Sequence, residues 1–183
     1  MAGGLSRSVL TLTAALLCAA TATAATAVAA PSQPRRPAVA LSSLEQGVLS
    51  DINAFRAARH LAPLRLSMPL TAAAREHTQQ MASDGYFAHA SADGSAFWKR
   101  IQQFYPSSPW HYWSVGENLL WSSPDVDAQG ALGMWLRSPE HRANLLNARW
   151  REIGVSALHV AGAPGTYQGS AVTIVTADFG VRR

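Results

Sequence analysis

A chain of 183 residues, 48% of them hydrophobic and 14% charged, is long enough for one domain with a sizeable core. Its formal net charge of +4 comes from 15 basic against 11 acidic residues. The basic residues are scattered apart from Arg149-Trp150-Arg151 and Arg182-Arg183; with no basic stripe, a nucleic-acid site is excluded.

The first 30 residues read as a secretory signal. Arg7 supplies the positive start, an apolar stretch covers residues 9–20, and a small-residue tract ends in Val28-Ala29-Ala30 before Pro31. That stretch falls short of the ~20 apolar residues a membrane span needs, so cleavage is expected in preference to a retained anchor. A lipoprotein signal is disfavoured because Leu16-Leu17, not a small residue, precedes Cys18. Cleavage after Ala30 would leave 153 residues, a net charge of +3 because Arg7 is lost, and no cysteine. Such a domain must hold itself together by core burial rather than disulfides. Residues 31–41, with Pro31, Pro34 and Pro37 around Arg35-Arg36, read as a solvated linker, and residues 42–183 as the domain.

Ser42-Ser43-Leu44-Glu45 is a capping-box arrangement, after which Leu44, Val48, Ile52 and Phe55 share one helical face. A second helix is predicted from near Ser67, with Pro69 in its first turn and Gly85 at its end; it carries Leu70, Ala73, Ala74, His77 and Met81 on one side. Asp93-Gly94-Ser95 opens a short third helix with Phe97, Trp98 and Ile101. Ser123-Pro124 is predicted to begin a fourth, running through Val126, Leu132, Trp135 and Leu136 until Pro139 interrupts it. Alternation at residues 152–158 and 171–177 predicts two strands joined as a hairpin, and residues 115–121 form a third strand candidate. Helices first and strands mostly later make the fold class α+β, with helices packed on a small antiparallel sheet. Trp135 is expected in the core, with Trp98 and Trp150 as further candidates. Trp110, Tyr112 and Trp113 read as a loop cluster that walls a cleft or covers a sheet edge.

Several motifs stand in a fixed order: Asn53-Ala54-Phe55-Arg56, Phe87-Ala88-His89, Gly116-Glu117-Asn118, Trp135-Leu136-Arg137-Ser138-Pro139-Glu140-His141-Arg142-Ala143-Asn144, Ile153-Gly154-Val155 and Ala177-Asp178-Phe179-Gly180. Together they resemble the CAP superfamily of cysteine-rich secretory, antigen 5 and pathogenesis-related proteins, in particular its cysteine-free bacterial SCP-like branch. The resemblance implies a three-layer α–β–α sandwich with a cleft at one end, lined by two histidines and two carboxylates. Carried onto this chain it makes His89, Glu117 and His141 cleft residues. The second carboxylate position is Ser138, so the set is incomplete, with Glu140 a nearby carboxylate.

Two imidazoles can ligate zinc while leaving positions open to water, so His89 and His141 are the candidate metal ligands, and loss of the second carboxylate weakens that expectation. Glu117 can orient a histidine or satisfy backbone donors at a strand edge. Asn144 and Arg142 read as loop-tethering residues, and His77 as a packed or half-exposed helix residue rather than a ligand. No Gly-x-Ser-x-Gly elbow accompanies the serines, which disfavours a nucleophilic triad. Three function classes follow. The leading one is a secreted, extracellular or periplasmic, non-catalytic protein that binds a lipid, cell-wall polymer or protein ligand through the cleft. A metal-assisted hydrolase would use His89 and His141 as ligands and Glu117 as general base. An envelope adhesion protein would use its helix surface instead. Fold alone does not choose among them.

Overall fold

Ser42 and Glu45 make both halves of the capping box. In the computed structural model, which describes residues 40–183, Ser42 Oγ accepts from the Glu45 amide while the Glu45 carboxylate accepts from the Ser42 amide. This opens α1 (Ser43–Ala57). The second Glu45 oxygen accepts from the Ala157 amide, which fastens the start of α1 to the sheet. The signal reading for residues 1–30 and almost all of the linker lie outside the described residues.

The next helix, α2 (Met68–Asp84), has Pro69 in its first turn and stops at Gly85, whose φ of 70° is the left-handed conformation that favours glycine. Then come α3 (Phe97–Phe104), α4 (Ala128–Arg137) and α5 (Pro139–Leu146). Four strands, β1 (Arg65–Leu66), β2 (Trp113–Ser122), β3 (Glu152–Val160) and β4 (Val172–Arg182), form one sheet in the order β1-β3-β4-β2. The expected hairpin is β3–β4, and β2 pairs antiparallel on the other side of β4. The two-residue β1 adds a short parallel pairing to β3 that its length hid from any periodicity. As the central strand β4 is buried along nearly its whole length, whereas β2 is an edge.

The result is the α–β–α sandwich. One sheet face packs on α1, α4 and α5 through Val48, Ile52, Trp135, Leu145, Val155 and Phe179. The other meets α2 and α3. There α2 and β3 approach so closely that a Cβ on Gly154 would lie 2.1 Å from the Leu70 and Thr71 backbone. This second face has two apolar clusters, one around Leu70, Ala73, Ile101 and Tyr105 and one around Met81, Leu119, Tyr167 and Ile174. Between them, in register on α2, α3, β2 and β4, run His77, Thr78, Arg100, Glu117, Thr176 and Asp178, none more than 4% exposed. Charges are almost never fully buried without partners, so this polar seam marks where the fold gives up apolar packing for something else.

Three local expectations need correction. The fourth helix starts at Ala128, not at Ser123-Pro124, because Asp127 is its cap and accepts from the Gly130 amide; Val126 precedes it. The expected break at Pro139 is present: α4 ends at Arg137, Ser138 is the cap between the helices, and Pro139 is the first residue of α5. Trp98 is 42% exposed, since the inward face of α3 is taken by Phe97, Arg100 and Ile101. Trp113 begins β2 and donates its indole N–H to the Tyr105 carbonyl. Trp110 and Tyr112 lie near the guanidinium groups of Arg182 and Arg183, covering the end of β4 rather than walling a cleft.

Candidate functional site

The polar seam reaches the surface at the β2 edge. Glu117 sits there with a fully buried side chain, and both of its oxygens are engaged. Oε2 accepts from Arg100 Nη2 of α3, and Oε1 lies 2.8 Å from His89 Nδ1 in the segment after α2. Arg100 is itself held by Ser91 Oγ at 3.0 Å and the His89 carbonyl at 3.4 Å, so one guanidinium positions both the carboxylate and the His89 segment. The His89 side chain remains 52% exposed. With Nδ1–H donated to Glu117, the free lone pair of a neutral ring is on Nε2.

His141 arrives from the opposite layer. It occupies the first turn of α5, where Ser138 Oγ accepts from its amide at 3.4 Å. One turn on, Asn144 donates to the Glu117 carbonyl at 3.1 Å and to Asn118 Oδ1 at 2.9 Å, while Asn118 donates to the His141 carbonyl at 3.0 Å. Asn144 therefore ties α5 to the edge of β2, not to the loop that follows it. The two imidazole centroids stand 6.4 Å apart. Burial first, then the proximity of His89, lowers the His141 pKa, which favours a neutral ring.

Between them opens a cleft of about 400 Å³, bordered by His89, Phe97, Glu117, Glu140, His141 and Asn144. Ser138 is not among its walls. It lies in an adjoining apolar groove of about 300 Å³ with Phe87, Leu119, Trp121 and Met134, and His141 borders both spaces. Ser138 also donates to Glu140 Oε2 at 3.0 Å, so the nearby carboxylate is held by the serine that stands where a second acid was expected.

Zinc does not fit this donor set. Among the described residues no group of three or more His, Cys, Asp or Glu side chains is arranged to hold a metal ion. Both Glu117 oxygens are committed to His89 and Arg100, which leaves two imidazoles as donors, short of the three protein ligands of a catalytic zinc site.

Two groups escaped the sequence reading. Arg100 is buried behind Glu117, on the same face of α3 as Phe97, Ile101 and Phe104; their helical spacing is the signal that could have found it. Asp178, inside the Ala177-Asp178-Phe179-Gly180 motif, pairs in register with Glu117 and is fully buried. Of the two readings of His77 the packed one holds: it is fully buried, with Nε2 2.9 Å from the Ala88 carbonyl and Nδ1 3.4 Å from the Tyr86 hydroxyl. Burial holds its pKa down at about 4, so the ring is neutral and braces the segment that carries His89.

The cysteine-rich secretory protein family, CAP, matches this chain over residues 49–179. The chain belongs to the CAP family. Among curated proteins, the uncharacterized protein YkwD of Bacillus subtilis (strain 168) is 30% identical over 63% of this chain and 42% of its own length. The uncharacterized membrane protein YlbC of the same organism is 29% identical over 61% and 30% respectively. This CAP domain thus spans less than half of the curated relatives it matches. Among solved structures, an extracellular protein containing an SCP domain from Bacillus anthracis superposes with a TM-score of 0.58 at 26% identity, covering 76% of this chain and 40% of that one. Among the described residues of the CAP domain, no helix is long and apolar enough to cross a membrane.

Proposed function

We propose that this chain is a secreted CAP-domain binding protein whose cleft takes an amphiphilic cell-envelope ligand. The observation that carries the reading is the position of His141 on both the polar cleft and the apolar groove. A polar head would lie between His89, Glu140 and His141, and an apolar portion along Phe87, Leu119, Trp121 and Met134. Mostly apolar walls with a few convergent polar groups are the usual composition of small-molecule sites. Secretion is supported by the signal-like residues 1–30 and by the extracellular B. anthracis relative. Two measurements test the proposal. The intact mass of exported protein should correspond to a start at or near Pro31; retention of residues 1–30 would replace secretion with anchoring. A dansylated undecanoic acid should bind saturably, with affinity lost in Met134→Lys and reduced in His141→Ala. Equal binding by wild type and Met134→Lys would refute the ligand class.

The His89–Glu117 hydrogen bond favours one second reading, a hydrolase without metal. With both Glu117 oxygens engaged, the group able to take a proton from water is His89 Nε2, and Glu117 orients the ring. Hydrolysis of a p-nitrophenyl ester that is abolished by His89→Ala would support this reading. A rate equal to that of the His89→Ala protein would remove it.

A further inference from the structure

The end of the sheet where β1 and β3 begin and β4 finishes gathers arginines that are far apart in the chain. Arg65 pairs in register with Glu152, its amide donates to the Arg151 carbonyl, and the Arg151 amide donates to the Gly180 carbonyl, just before Arg182. The stretches that meet here, residues 62–68, 105–113, 147–152 and 180–182, hold four arginines and one carboxylate. That carboxylate, Glu152, accepts from the Tyr105 hydroxyl and lies 3.8 Å from Arg65, whose side chain is 78% exposed. Arg149 and Arg151 are exposed, and Arg151 Nη1 donates only to the carbonyls of Ala148, Arg149 and Trp150. The Arg182 guanidinium stands 4.0 Å from the Tyr105 ring centre and 5.4 Å from that of Trp110. Carbonyls and rings hold these groups in place without cancelling their charge.

Apolar side chains are open to solvent at the same end. Leu66, Met68, Trp98 and Trp110 are the exposed large hydrophobic residues of the described chain. Leu66 and Met68 follow Arg65, and Trp110 stands beside Arg182; only Trp98 lies elsewhere, at the opposite end of α3 from Tyr105. A polymer of phosphates would pair with the arginines and leave Leu66, Met68 and Trp110 in water. A bilayer surface satisfies both sets. Its phosphate oxygens accept guanidinium N–H groups in pairs, and its headgroup layer takes indole rings and aliphatic side chains. We infer that this end of the sheet is a peripheral docking face for an anionic phospholipid bilayer. Arg65, Arg149, Arg151 and Arg182 meet the phosphates, while Leu66, Met68 and Trp110 enter the headgroup layer. The face is separate from the cleft, which opens at Glu117, further along β2 than the Trp113 that pairs with Arg182.

The test is flotation of the full chain with vesicles of phosphatidylglycerol and phosphatidylcholine in equal parts, and with vesicles of phosphatidylcholine alone. Immobilised poly(glycerol phosphate) presents similar charge without an apolar layer. The chain should float with the anionic vesicles only, and less as salt is raised. Arg65→Glu combined with Arg149→Glu, both at exposed positions, should lower that partition by about tenfold or more. Leu66→Ser should lower it as well, with retention on the polymer unchanged. Met134→Lys, in the groove beside the cleft, should float as the wild type does. Equal flotation with both vesicle types, or equal flotation of the wild type and the double variant, would overturn the inference. Retention on the polymer without flotation would overturn it in favour of a wall polymer. Flotation lost in Met134→Lys and kept in the double variant would overturn it by assigning the lipid to the groove.

Discussion

Glu117 and Asp178 face each other across the β2–β4 ladder, two carboxyl groups on one buried sheet face. Burial, and then the charge of Glu117, pushes Asp178 well above the usual carboxylate range despite the opposing Arg100. As a carboxylate, Asp178 has no donor for either oxygen. Protonation of Asp178 removes an unpaired buried charge from beside Glu117, which Arg100 and His89 hold. The half-exposed imidazole of His89 is thereby aimed by a carboxylate that has no freedom of its own.

Asp178→Asn should therefore fold, and at neutral pH it should be as stable as the wild type or more so. The folded chain keeps the Asp178 proton above pH 3.8, where the unfolded chain has released it. Stability contributed at this position consequently falls as pH rises from 3.8 towards the raised folded value. The neutral amide removes that dependence. Urea denaturation across the acid-to-neutral range should show the Asn variant gaining on the wild type as pH rises; a loss of more than about 1 kcal/mol at neutral pH would contradict a protonated Asp178.

His77 has the opposite sign. Its folded pKa of about 4 lies below the ordinary 6.5, so its contribution is complete above 6.5 and is lost as pH falls towards 4. The loss amounts to about 3 kcal/mol by the lower end of that window. His77→Gln, which keeps a donor for the Ala88 carbonyl, should flatten the decline between these values. A wild-type stability curve with no slope there would show that the ring is not held neutral.

Gly154→Ala should be among the costliest single-methyl additions in the chain. The new Cβ meets the Leu70 and Thr71 backbone at 2.1 Å, which only displacement of α2 from β3 can relieve, at a cost of about 3 kcal/mol or more. Trp135→Ala should cost ~3–5 kcal/mol, since the ring is fully buried and its N–H bonds the Leu119 carbonyl. Trp113→Ala should cost less because that ring is half-buried. Chemical denaturation of the three variants checks the ranking.

Ser138→Glu should not create a zinc site. The side chain stands on the apolar groove and caps α5, so the substitution removes the cap, at a cost of about 1 kcal/mol, without adding a ligand to the cleft. Calorimetry should detect no stoichiometric zinc in either protein. Tight binding by the wild type, lost in His89→Ala and His141→Ala, would show that the Glu117 contacts rearrange around metal.

What was legible in the sequence was short-range. The Ser42–Glu45 capping box, Gly85 as a helix stop, the alternation of β3 and β4 and the amphipathic face of α1 each depend on residues a few positions apart. The ordered motifs also named the family and drew attention to His89, Glu117 and His141. Ser138 was placed in the cleft by its spacing from Trp135, but spacing could not reveal that the α4–α5 break turns it into a cap facing the groove. The tertiary structure alone decided the rest. Two residues made β1, too few for any period to register, and only β3 beside them defines it as a strand. Arg100 and Asp178 look like ordinary surface charges in the sequence; the closure of α3 and β4 over Glu117 strips them of water and turns them into its partners. Local preferences are written within a few residues, whereas desolvation depends on elements far apart in the chain, and that is why the helices could be read in advance and the buried charge network could not.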